Sequence, residues 1–160
     1  MILLLGCGCV VIWFGFSLFL FAVLISLSLT DLRRRIIPNT HILALLVGGI
    51  YFSWVYDTGG IAPRMVASLG LLAAGILVAS IAARLLRRDA LGMGDVKLYA
   101  VAALWLGLSP MPLVLTTASA LALVALMFGL EKQGAPLAFG PYLSVAIFGA
   151  WLWQMVGVQV

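Results

Sequence analysis

Charge is what this sequence has least of. Its 160 residues include nine Lys and Arg, five Asp and Glu and a single His, so 9% of positions are charged, against roughly 25% in ordinary soluble domains. Too few charges remain to clothe a water-facing surface, which excludes a soluble globule. Cysteine is scarce as well: Cys7 and Cys9 lie two apart in the first apolar run, point to different sides of a helix and have no His or second Cys pair beside them. That excludes a zinc site and leaves them as small core residues. Apolar/polar alternation is absent, which excludes a transmembrane barrel. What is present is apolar length: 65% of residues are hydrophobic, mean hydropathy is +1.25, and Met1 to Leu29 and Val96 to Leu130 carry almost no charge. The chain reads as all-α and membrane-embedded, with the lipid bilayer as its solvent. The net charge of +4 sits between apolar runs, where basic residues contact headgroups, so nucleic acid is excluded as a partner. No Lys or Arg precedes the first run and no small-residue cleavage site precedes Asp31, so that run is expected to stay as a helix.

Breakers divide the chain into six expected helices, at about 2–30, 40–56, 62–84, 92–108, 111–130 and 139–158. Together they form one transmembrane domain over 1–160, with no room for a separate soluble domain. Pro38 and Asn39 make the turn into the second helix, with Asn39 as its N-cap. Asp57-Thr58-Gly59-Gly60, Ser109-Pro110-Met111-Pro112 and Gly134-Ala135-Pro136 mark later turns. Gly48-Gly49 and Gly70 to Gly75 offer small-residue surfaces for helix packing. Arg33, Arg34, Arg35, Arg84, Arg87, Arg88, Lys97 and Lys132 flank the odd loops and only Arg64 falls opposite. The positive-inside rule then puts the odd loops in the cytoplasm and both termini outside. Every acid except Asp57 is therefore expected on the cytoplasmic side.

Two of those acids stand out. Asp31 precedes three arginines at the end of the first run. Asp95 lies in Gly92-Met93-Gly94-Asp95, and the apolar run after it is short for a span, so the helix must include the Gly-Met-Gly-Asp segment and draw the carboxylate to the interface or below it. An ionisable group at that depth is a functional-site hypothesis by default. Gly92 and Gly94 let a peptide backbone or another helix approach it. If Asp31 and Asp95 meet, the pair holds one proton between them. One carboxylate can then take a proton from water while the other gives one to a peptide carbonyl, which is aspartic-protease chemistry without metal or cofactor. His41 has no nucleophile in a recognisable setting and reads as an interface histidine. Asp57 and Asp89 read as loop charges and Glu131-Lys132 as a paired helix end.

The stretch Asp31-Leu-Arg-Arg-Arg-Ile-Ile-Pro-Asn39 followed by Gly92-Met-Gly-Asp-Val-Lys-Leu98 resembles the type IV prepilin peptidase family, membrane aspartyl proteases of the GxGD class. Phe139-Gly-Pro-Tyr142 is similar to that family's Gly-Pro element. The resemblance implies a polytopic helical bundle in the bacterial cytoplasmic membrane. It also implies removal of the short basic leader of pilin-like precursors at the cytoplasmic face, with Asp31 and Asp95 as the catalytic aspartates. Gly92, Gly94, Pro38, Asn39, Lys97, Gly140 and Pro141 are the expected site-shaping residues. Bifunctional members carry a soluble N-terminal region with paired cysteines that serves N-methylation. This chain shows no such region and resembles the short, peptidase-only members of the tight-adherence (Flp) type.

Lys97 is two residues from Asp95, off its helix face, so headgroup contact is expected ahead of tuning the carboxylate. Arg33 to Arg35 are expected to anchor topology, since they repel a basic leader. A proton- or cation-coupled transporter and a pilus-assembly membrane subunit are the competing readings. The transporter requires acids near mid-membrane and a repeated pair of segments, and the long apolar runs offer neither.

Overall fold

A backbone surrounded by hydrocarbon must satisfy its own N–H and C=O groups, and uninterrupted Leu-, Ala- and Val-rich runs do so as helices. The computed structural model describes residues 2–56, 61–86, 92–129 and 138–157, with side chains for 13–55, 61–85, 92–129 and 138–156. Among these residues the regular structure is six helices and no strand: α1 (Ile2–Arg34), α2 (Asn39–Tyr56), α3 (Ile61–Leu86), α4 (Met93–Leu106), α5 (Met111–Met127) and α6 (Gly140–Gly157). The protein is an all-α membrane bundle. Trp13–Arg34 and Ile61–Leu85 are long and apolar enough to cross a membrane, while Asn39–Val55 and Met111–Met127 are shorter.

The helix ends follow local chemistry. α1 continues past the expected end near residue 30 and stops where Arg35 takes φ 51 and donates its N–H to the Asp31 carbonyl at 2.7 Å. Pro38 then disfavours helix at Ile37, and α2 starts at Asn39. α4 stops at Gly107, whose φ of 78 suits only glycine and whose N–H reaches the Ala103 carbonyl at 2.9 Å. α5 follows Pro110 and holds Pro112 in its first turn, where a missing N–H costs nothing.

α4 is the hub. It packs against α2, α3, α5 and α6, while α1 packs against α2 and α6, and Ala100 to Leu106 are all buried. Large apolar residues on the other helices face outward, among them Leu18 and Leu29 on α1, Leu69 and Leu77 on α3, and Leu113 and Leu123 on α5. This is the arrangement a lipid solvent permits. Around Trp105 the core is aromatic: Phe52 stacks on it at 5.7 Å between centroids and Trp151 meets it edge-on at 5.7 Å. The indole N–H of Trp105 reaches the Leu45 carbonyl at 2.9 Å, and that of Trp151 reaches Ser17 Oγ at 2.9 Å.

The small-residue surfaces divide. A Cβ on Gly49 would fall 2.8 Å from Trp105 Nε1 and one on Gly75 would run into Val96, so both are close-approach points onto α4. Gly70 faces open space and packs against nothing. Arg64, counted from the sequence as the one basic residue on the outer side, donates to the carbonyls of Leu104 and Trp105 at 3.0 and 2.7 Å. Its guanidinium also lies 5.4 Å from the Phe52 ring centroid. The side chains of Cys7 and Cys9, and the expectations for Asp57 to Gly60, Arg87, Arg88, Asp89, Glu131, Lys132 and Gly134 to Pro136, lie outside the described residues.

Candidate active site

The last turns of α1 and the first turns of α2, α4 and α6 come together at one end of the bundle. Because α1 extends to Arg34, Asp31 is held on its last full turn, on the same face as Leu24 and Leu27, and is buried at 5% exposure. Its Oδ2 accepts the backbone N–H of Gly140 at 3.1 Å. Gly140 opens α6 and Pro141 follows within the first turn, so the carboxylate occupies the end of α6 that favours an acceptor. A Cβ at position 140 would fall 2.6 Å from Asp31 Oδ2, so glycine is required for this approach.

Asp95 is the third residue of α4, after Gly92 in extended conformation (φ −67, ψ 118). Its carboxylate folds back over the helix start, where a Cβ on Gly92 would lie 2.5 Å from Oδ2. Its Oδ1 is buried and has no hydrogen-bond partner among the described residues. Asp31, against the start of α6, stands at the same end of the bundle. Gly92 and Met93 are exposed and Asp95 half-buried, so the second carboxylate is reached from the end of the bundle.

The connection between α1 and α2 borders this pair. Ile37 lies against Gly94, where a Cβ would come 2.8 Å from Ile37 Cβ. Lys97 Nζ donates to Asn39 Oδ1 at 3.3 Å and so ties α4 to the start of α2. The exposed contact joins two of the expected site-shaping residues, and Asn39 is the first residue of α2. The two helix starts stand side by side. Pro38 contributes its carbonyl to the His41 N–H at 3.1 Å. His41 pairs with Ser26, Oγ to Nε2 2.9 Å, at the α1–α2 seam. Arg33, Arg34 and Arg35 are exposed. Ile37 was not singled out from the sequence; the signal for it is the Ile36-Ile37 pair set between three arginines and Pro38.

Fold and site define a class: a polytopic helical membrane protein with two acidic side chains gathered at one end, each at or beside a glycine-started helix. The chain belongs to the type IV leader peptidase family, whose sequence profile matches residues 18–128. It is 35% identical over 147 residues to the prepilin leader peptidase/N-methyltransferase of Aeromonas salmonicida (strain A449), covering 86% of this chain and 48% of the relative. The protein of that name from Neisseria gonorrhoeae is 33% identical over 133 residues, 81% of this chain and 46% of the relative. That from Dickeya chrysanthemi is 35% identical over 137 residues, 81% and 47%. The chain thus spans about half the length of these relatives. No solved structure gives a significant match.

Proposed function

We propose that the chain is a membrane aspartic endopeptidase that removes the short basic leader of type IV prepilin-like precursors, of the Flp type, at the cytoplasmic face of the inner membrane. The observation that carries this is that Asp31 and Asp95, far apart in sequence, stand at one end of the bundle of a leader peptidase family member.

The chemistry needs only the two carboxyl groups and water. The ionised carboxylate takes a proton from water as its oxygen adds to the scissile carbonyl carbon, and the protonated partner gives its proton to the carbonyl oxygen. Collapse of the tetrahedral adduct breaks the C–N bond. The proton taken from water passes to the leaving amine and the carbonyl-derived hydroxyl returns its proton to the other aspartate, so the pair ends as it began. The buried Oδ1 of Asp95, without a hydrogen-bond partner among the described residues, is a suitable acceptor for that water. The Gly140 N–H holds Asp31 in register, and glycines at 92, 94 and 140 let Asp95, Ile37 and Asp31 close in on the helix starts. The cytoplasmic placement and the exterior termini rest on the basic residues: Arg33, Arg34, Arg35, Arg84 and Lys97 stand at the aspartate end and Arg64 at the other.

The test is cleavage of a pilin-like precursor by membranes holding the wild type, Asp31→Asn or Asp95→Asn, with insertion checked alongside. Each variant is expected to insert and to lose processing by at least about a thousandfold. Normal cutting by either inserted variant would remove the catalytic pair.

A further inference from the structure

We infer that Arg64, at the opposite end of the bundle, is a positioning residue that sets the height of Asp95, acting through α4 as a rod. The inference rests on the two-aspartate reading above.

α4 has 14 residues, a length of about 21 Å, against a hydrocarbon thickness of about 30 Å. It therefore ends short of the far interface, and its last four carbonyls need partners that lipid cannot supply. All four are filled, from four different parts of the chain. The Ala103 carbonyl takes the Gly107 N–H at 2.9 Å. Leu104 takes Ser53 Oγ at 2.8 Å and Arg64 Nη1 at 3.0 Å, and Trp105 takes the same Arg64 nitrogen at 2.7 Å. Leu106 takes Gln154 Nε2 at 2.8 Å. α2, α3 and α6 thus all grip the end of α4.

A cation at a helix C-terminus is favoured by the helix dipole, and more so where water is excluded. The same α4 carries Asp95 about 14 Å away along its axis, and a hydrogen-bonded helix transmits an axial shift almost undiminished. At the aspartate end the described side-chain bond on α4 is the long contact from Lys97 to Asn39. Ile37 against Gly94 and Val96 against Gly75 pack this half of α4 sideways, Tyr99 donates to the Met111 carbonyl at 2.8 Å near its middle, and the charged hold along the axis is at the Arg64 end. Asp31 is held by a contact that Arg64 does not make, through Gly140 of α6. Loss of the Arg64 contacts leaves both carboxylates present and changes their offset.

The experiment uses the full chain in membranes with Cys7→Ser and Cys9→Ser, and Arg64→Lys, Arg64→Gln, Ser53→Ala and Gln154→Leu compared one at a time. Two readouts are taken: kcat and KM for precursor cleavage, and the rate at which Asn39→Cys and Lys97→Cys, introduced together in a separate series, are joined by a short bifunctional thiol reagent. An ångström of misplacement costs up to about a hundredfold in rate. The expected result is a fall in kcat of about tenfold or more for Arg64→Gln, a smaller fall for Arg64→Lys, unchanged KM, and a cross-linking rate altered in the same order.

Wild-type kcat in inserted Arg64→Gln overturns the inference, as does a rise in KM alone or a loss of kcat with unaltered cross-linking. If Arg64→Gln does not insert, Ser53→Ala and Gln154→Leu are judged by the same criteria. Cross-linking reads the height of α4 without any cleavage, so a wrong assignment of the reaction is distinguishable from a wrong role for Arg64.

Discussion

At the scale of single residues, the site depends on side chains that are missing. Gly140 brings its N–H to Asp31 because nothing projects from its Cα; an added Cβ would lie 2.6 Å from Oδ2 and 3.1 Å from Cγ. Gly140→Ala is expected to insert normally and to lower the cleavage rate by about ten- to a hundredfold, since the carboxylate must swing away and lose its donor. Gly15, whose Cβ would meet nothing within 4 Å, is the control, and Gly15→Ala is expected to cut at the wild-type rate. The Gly94 contact with Ile37 gives a paired test: Gly94→Ala is expected to reduce cleavage severalfold and Ile37→Gly, which removes the Cβ at 2.8 Å, to restore part of it, a coupling that a double-mutant cycle measures.

At the scale of elements, α4 carries the argument. Its stretch from Ala100 to Leu106 is apolar and buried, while its two ends are anchored by different chemistry, glycine and carboxylate at one and arginine, serine and glutamine at the other. α2 comes close enough for the Trp105 indole to bond the Leu45 carbonyl because Gly48 and Gly49 face it. A Cβ at 49 would strike Trp105 Nε1 at 2.8 Å and Leu104 Cβ at 2.9 Å, neither of which can retreat in a filled core. Gly49→Ala is therefore expected to destabilise the bundle by about 1–3 kcal/mol. Thermal unfolding in detergent, compared with Gly70→Ala as a neutral substitution, measures it.

At the scale of the whole molecule, the basic residues predict orientation. In a Cys7→Ser/Cys9→Ser background, Arg35→Cys is expected to stay unlabelled by a membrane-impermeant maleimide on intact cells, while Ala62→Cys, exposed at the start of α3, is labelled. The opposite pattern would place the aspartates outside and remove the cytoplasmic reading.

The sequence by itself determined the solvent and the number of helices, because both depend on composition and on the length of apolar runs. Charge scarcity excluded water, and breakers such as Pro38 and Pro110 placed the helix ends within a few residues. It also pointed to Asp31 and Asp95, since acids beside such runs are rare and each stood in a recognisable stretch. Their nearness was not legible from spacing, because it requires α1, α4 and α6 to converge, and convergence is decided by side-chain packing between distant segments. For the same reason Lys97 and Asn39 could not be read as a pair, nor Gly75 separated from Gly70. Arg64 is the plainest case. Along the chain it is one basic residue beside an apolar run, and only the tertiary structure reveals that α4 ends next to it, with the Leu104 and Trp105 carbonyls bonded to its guanidinium.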